Sequence, residues 1–148
     1  MIPNTPQALG FLIDRLMQNV MPELQTTFAM SDLAFITTLL NMFGQDYDRS
    51  AQARLVDIRE MQDIFSDAKG VVQDAELAKR LAATQDEFES DMHIGALDAV
   101  HADHCKLLIE AHAAIEQRDT RAAAVLNEQI WAHLERHADR HRYDVDFG

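Results

Sequence analysis

The segment "LDAVHADHCKLLIEAHAAIEQRDTRAAAVLNEQIWAHLERHADRH", residues 97–141, decides the fold. Leu97, His101, His104, Leu108, Ala111 and Ile115 follow one another in steps of 4, 3, 4, 3 and 4. That is the spacing of one buried helix face, with two histidines where leucines would be expected. The spacing predicts a helix from about Leu97 to Gln117. "RDT", residues 118–120, is a short connection, and a second helix runs from about Arg121 to about His141. Its apolar face passes through Leu126, Ile130 and Leu134, and His133 and His137 border or continue it. So short a connection predicts an antiparallel pair.

The helical period extends upstream. Thr5 followed by Pro6 is a start signal, because threonine caps a helix and proline is already set for its first turn. Leu9, Leu12, Ile13, Leu16, Val20, Leu24 and Phe28 form an apolar stripe, with a kink or restart predicted near Met21 because Pro22 lacks an N–H. Ser31 and Asp32 are the next predicted cap, leading to Ile36, Leu39, Leu40, Phe43 and Tyr47. "DYDRS", residues 46–50, reads as a break. Leu55, Ile58, Met61, Ile64 and Phe65 then face inward, and "SDAKG" ends that helix near Gly70. Asp74 caps a further helix with Leu77, Leu81 and Phe88 inward, Gly95 is a weak point, and "RYDVDFG" reads as a tail. No strand signal interrupts the sequence. The fold class is all-α: an antiparallel bundle of five or six helices in a single domain, 1–148.

Composition narrows the function classes. The chain has 148 residues, 25 acidic and 13 basic, with a net charge of −12. A surface this acidic repels a phosphate backbone and an anionic membrane, so neither nucleic acid nor membrane is an expected partner. A single cysteine, Cys105, rules out an internal disulfide and fits a reducing, cytoplasmic setting. The N-terminus has no signal-peptide pattern, and no apolar run reaches the ~20 residues of a spanning helix. The phenylalanines and methionines of the N-terminal half, among them Phe11, Phe28, Phe35 and Phe43, supply a core, and any excess over one bundle's core points to a homodimer.

The histidines carry the one candidate site. His101 lies 18 residues before Asp119 and His137 lies 18 after it; His104 lies 15 before and Leu134 15 after. In an antiparallel hairpin, His101, His104, His133 and His137 therefore share one layer between two helices. Imidazoles at i, i+3 or i, i+4 on facing helices can hold a divalent transition metal such as zinc. Asp98, Glu135 and Asp139 are near enough in sequence to ligate or to orient an imidazole. The alternative is packing: histidines bonded to one another or to carboxylates at a helix border, and His137 and His141 favoured as cations at a helix C-terminus. Cys105 reads as a small buried residue, His93 and His112 as surface residues, and Asp57, Glu60 and Asp63 as a solvated face.

Residues 5–65, notably "TPQALGFLIDRLMQNVMPELQ" and "ITTLLNMFGQDYD", resemble a bacterial family of small helical proteins of unknown function. Its members are often encoded beside aminoglycoside-phosphotransferase-like kinases and acyl-CoA dehydrogenases. The "VMPEL" turn here matches a "VLPAL"-like turn there, and the resemblance implies a small helical fold and no catalytic residue. "CKLLIEAHAAIEQRDTRAAAVLNEQIWAHL" is similar to the last hairpin of the ligand-binding domains of FadR-type regulators, with different histidine spacing about the turn. His133-x-x-x-His137 is similar to the terminal helix of DinB-like metal-binding bundles, whose second-helix histidine has no counterpart in residues 31–48. The expectation is thus a small cytoplasmic helical-bundle protein acting by binding, as an accessory module with a protein partner or as a homo-oligomer. The second reading is a metal-binding bundle or metal-dependent enzyme built on His101, His104, His133 and His137.

Overall fold

The computed structural model describes residues 4–84 and 91–144. The protein is all-α, with five α-helices and no strand among the described residues: α1 (Thr5–Arg15), α2 (Thr27–Ala68), α3 (Ala75–Ala83), α4 (Ile94–Glu116) and α5 (Arg121–Arg140). None of them is long and apolar enough to cross a membrane. The chain divides into two compact units, Met1–Ser50 with Arg142–Gly148, and Ala51–His141.

In the first unit, α1 is capped one residue earlier than the Thr5–Pro6 signal suggests. The Asn4 side chain accepts the Gln7 N–H at 3.1 Å, leaving Thr5 and Pro6 inside the first turn. The break near Met21 is present. Leu16–Val20 widens into a π-helical turn and Met21–Glu23 tightens into a 3₁₀ turn, so the chain changes pitch on either side of the missing Pro22 N–H. α2 begins at Thr27, where the Thr26 hydroxyl accepts the Ala29 N–H at 3.2 Å, and not at Ser31 or Asp32. It also continues, still helical, through "DYDRS". Those residues are polar but include neither glycine nor proline, and each costs a helix less than ~0.7 kcal/mol. Asp46 and Arg49 pair one turn apart at 3.6 Å. Gly44 lets the Leu9 side chain of α1 approach to ordinary contact, 3.6 Å from where a Cβ would stand. Residues 142–144, read from sequence as part of a tail, are bonded: the Tyr143 hydroxyl donates to Asp46 at 2.7 Å, and Gln45 exchanges two hydrogen bonds with the Asp144 backbone.

The second unit holds the core. Leu55, Ile58, Met61, Ile64 and Phe65 of α2 are buried as their spacing predicts, against Leu77 and Leu81 of α3, Leu97, Leu107, Leu108, Ala111 and Ile115 of α4, and Ala123, Leu126 and Ile130 of α5. Each large aliphatic side chain fully buried here stabilises by about 1.5–3 kcal/mol. α2 ends at Ala68, whose carbonyl accepts from both Val71 and Val72 in the turn about Gly70. Asp74 caps α3 through the Glu76 and Leu77 N–H groups. Phe88 lies outside the described residues. Thr120 caps α5 by accepting the Ala123 N–H. His112 bonds Asn127 at 2.7 Å and His101 stacks on His137. These pairs lie at equal heights about the turn, so α4 and α5 are antiparallel. Leu134, assigned to the inner face from spacing, is exposed; His133 takes its place, 2% exposed.

Candidate metal centre

The site forms where α2, α4 and α5 of the second unit meet. Its centre is Asp57, a carboxylate wholly buried on the core side of α2. Ala53, Asp57, Met61 and Ile64 fall on that side one after another, so Asp57 stands where the apolar register calls for a hydrophobic side chain. Burial without partners would be costly. Partners come from the other two helices. One oxygen, Oδ2, faces three imidazoles: His137 Nδ1 at 2.8 Å, His141 Nε2 at 2.6 Å and His101 Nε2 at 3.5 Å. The other, Oδ1, takes an Arg140 guanidinium N–H.

One turn along α2, Glu60 gathers a second set. His133 Nδ1 lies 2.7 Å from its Oε2, while Arg136 Nε and Arg140 Nη2 donate to Oε1 at 3.0 and 2.8 Å. Arg140 thus spans both carboxylates. Glu60 and Arg136 also line a cleft of about 230 Å³ between α2 and α5, where solvent reaches the edge of the cluster.

Charge is distributed accordingly. Burial pushes the Asp57 carboxyl up, but hydrogen bonds from His101, His141 and His137 outweigh it and hold it well below the usual carboxylate range. Burial likewise opposes ionisation of Glu60, and His133, Arg136 and Arg140 overcome it, so that carboxyl too is held low. The hydrogen bond to Asp57, aided by Cys105, pushes His101 up to about 9.

Of the four histidines marked by spacing, the structure brings three together. The His101 and His137 rings stack at 5.6 Å, and the His133 and His137 rings lie 6.2 Å apart. His104 does not join them. Its Nδ1 bonds the Val100 carbonyl at 3.0 Å, and its ring packs against Phe65 at 5.6 Å, inside the core. Three residues along a helix is a rotation of roughly 60° from the starting side chain, enough here to turn one imidazole of the pair toward the carboxylate and the other toward the apolar core.

The carboxylates differ from those suggested by sequence. Asp98 pairs with Arg54, and Glu135 and Asp139 are exposed. Asp57 and Glu60 take their place; of the supposed solvated face, only Asp63 is exposed. His141 joins Asp57 instead of merely facing a helix end. His112 is half-buried, bonded to Asn127 and edge-on to Trp131. His93 is exposed, as expected. Cys105 is half-buried, and its sulfur lies 3.7 Å from Nδ1 of His101, one turn away on α4.

Among the described residues, two groups have metal-ligand geometry, each with one donor atom per residue and all donors within 4.8 Å of one another: Asp57, His101 and His137, and Asp57, Glu60 and His133. They are not equivalent. In the second, Arg136 and Arg140 both hold Glu60, whereas in the first the only arginine is Arg140, on Oδ1 of Asp57, and the imidazole nitrogens face the other oxygen, Oδ2.

Comparison with family models, with curated proteins and with solved structures finds no match to this chain. The chemistry of the cluster is therefore the basis for a functional reading.

Proposed function

We propose that the protein is a metal-binding helical bundle that holds a divalent transition metal such as zinc through Asp57, His101 and His137. The observation that carries this reading is the convergence of imidazole nitrogens from α4 and α5 on one oxygen of a fully buried carboxylate. Mixed imidazole and carboxylate donors suit zinc, nickel, copper or iron. Ligands ~2.0–2.2 Å from a tetrahedral ion stand roughly 3.3–3.5 Å from one another. The His101–Asp57 separation of 3.5 Å already has that value, and the His137–Asp57 separation of 2.8 Å needs to open by about half an ångström.

His141 decides what kind of site this is. Its nitrogen reaches Asp57 at 2.6 Å but stands outside the three-donor group, so only if it moves in as fourth donor is the set closed, the form of a structural or storage site. Without it, three protein ligands leave the open position that a catalytic metal needs. The single cysteine and the acidic composition support a cytoplasmic setting with no nucleic-acid partner.

The test is metal analysis of protein purified without an affinity tag, followed by titration of metal-free protein with zinc and nickel by calorimetry. One equivalent bound at micromolar or tighter affinity supports the reading. No binding at millimolar metal overturns it. The cobalt(II) visible spectrum of wild type and His141→Ala then separates a closed four-ligand site, where the spectrum changes, from an open one, where it does not.

A further inference from the structure

Residues 4–50 carry an apolar load that they do not bury. Among the described residues of the first unit only Leu33 and Thr37 are buried, and α1 and the two short turns after it bury none. On α2, Phe28, Phe35, Ile36, Phe43 and Tyr47 are exposed. At ~100° per residue they occupy about one third of the helix circumference. Leu33, Thr37 and Gly44 lie outside that arc, on the side where Leu9 of α1 is in contact. α1 also meets α2 along one side and leaves apolar residues in water. Leu9 and Ile13 share a cleft with Leu40 and Gly44 of α2, while Phe11 and Leu12 are exposed. Each helix of the pair thus has one apolar side toward the other and further apolar side chains in water. Two helices that bury so little between them do not offset the entropy of ordering their backbone.

We propose that this helix pair is half of an intermolecular four-helix bundle, completed by the same pair from a second copy of the chain. Area supports that occupant. Phe28, Phe35, Phe43 and Tyr47 of the α2 arc are each between 56% and 77% exposed. An aromatic side chain carries ~150–250 Å², so these four leave on the order of 500 Å² in water. Leu12, Met17, Val20 and Ile36 carry the total toward the ~800 Å² that each partner gives to a stable interface. Symmetry supports it as well: an identical patch on both copies closes about a two-fold axis without further surface. Charge does not oppose it. On the α2 arc only Asp32 and Asp46 are charged, and Asp46 is already held by the Tyr143 hydroxyl and Arg49.

The experiment is light scattering coupled to size-exclusion chromatography on the full chain at about 100 µM, compared with the double variant Phe35→Glu with Phe43→Glu. Both positions are exposed in the isolated chain, so the variant is expected to keep the helical far-ultraviolet spectrum. Wild type at twice 16.8 kDa and the variant at 16.8 kDa support the proposal. If the variant loses helicity, the milder double variant Phe35→Ser with Phe43→Ser replaces it; a helical monomer supports the interface, and a helical dimer overturns it. A monomeric wild type overturns the proposal outright. If that monomer binds phosphatidylcholine vesicles, the face belongs to a lipid surface instead. A dimer that survives both glutamates also overturns it, placing the contact elsewhere.

Discussion

Asp57 of α2 and His137 of α5, 80 residues apart in the chain, share a 2.8 Å hydrogen bond between a fully buried carboxylate and a partly exposed imidazole. A buried carboxylate held by imidazoles has two uses for those partners. With protons they are donors that satisfy it, and without protons they are ligands that share a cation with it.

Asp57→Asn and His137→Ala each remove a donor atom from the group formed with His101. Zinc affinity is expected to fall by about 100-fold or more, since even partners one shell further out are worth 10–100-fold. His104→Leu should leave it unchanged within about two-fold, because that imidazole is spent on the Val100 carbonyl and the core. Equal losses in all three variants would show that the effect is unfolding and not ligation.

Metal binding should release a proton at neutral pH. His101 is pushed up to about 9 by its hydrogen bond to Asp57, so it is protonated at pH 7 and must lose that proton before its nitrogen can ligate. Affinity is therefore expected to climb from pH 6.5 to about 9 and then level off. Calorimetry in two buffers of different ionisation enthalpy reads the proton directly. Identical heats in both would mean that His101 is not a ligand.

Arg140 competes with the metal, because its guanidinium bridges Asp57 and Glu60. Arg140→Gln is expected to tighten zinc binding several-fold. It should also destabilise the metal-free protein by about 1.5–3 kcal/mol, the usual worth of a hydrogen bond to a charged group. Urea denaturation with and without zinc measures both. A variant with unchanged metal-free stability and unchanged affinity would remove Arg140 from the account.

The metal-free protein should be most resistant to urea between about pH 4.5 and 6.5. Asp57 and Glu60 are held low in the folded state, so their contribution is present above their ordinary values and lost as pH falls. His101 is held high, so its contribution is complete below its ordinary value of 6.5 and is lost as pH rises through about 9. Urea midpoints at pH 3, 5.5 and 9.5 test this, with the middle one highest. A midpoint that rises steadily with pH would contradict the contribution of His101.

The hairpin of the second unit was legible in the sequence because everything it needs is local. A period of 3.6, a threonine cap and equal distances from the turn are enough to pair His101 with His137. Distances from a turn fix height but only weakly fix direction, which is why the count puts His104 in the layer although it lies outside it. Asp57 escapes the sequence for a different reason. Grouped with Glu60 and Asp63 it reads as a charged face; set against Ala53, Met61 and Ile64 it is an acid in an apolar register, the same signal that marked His101 among leucines. What no periodicity supplies is the partner, since the three imidazoles that face Asp57 come from helices far along the chain. The continuity of α2 through "DYDRS" was likewise hidden, because a polar stretch looks like a turn when only its composition is read.

The short connection between α4 and α5 favours one order of assembly. Closing a small loop costs little entropy, so α4 and α5 can pair early, bringing His101 to His137 while Asp57 is still distant along the chain. The imidazoles then meet before the carboxylate arrives, and docking of residues 51–68 becomes the step that buries the charge. Folding speed should accordingly respond to changes at the Thr120 cap, and unfolding speed to changes at Asp57.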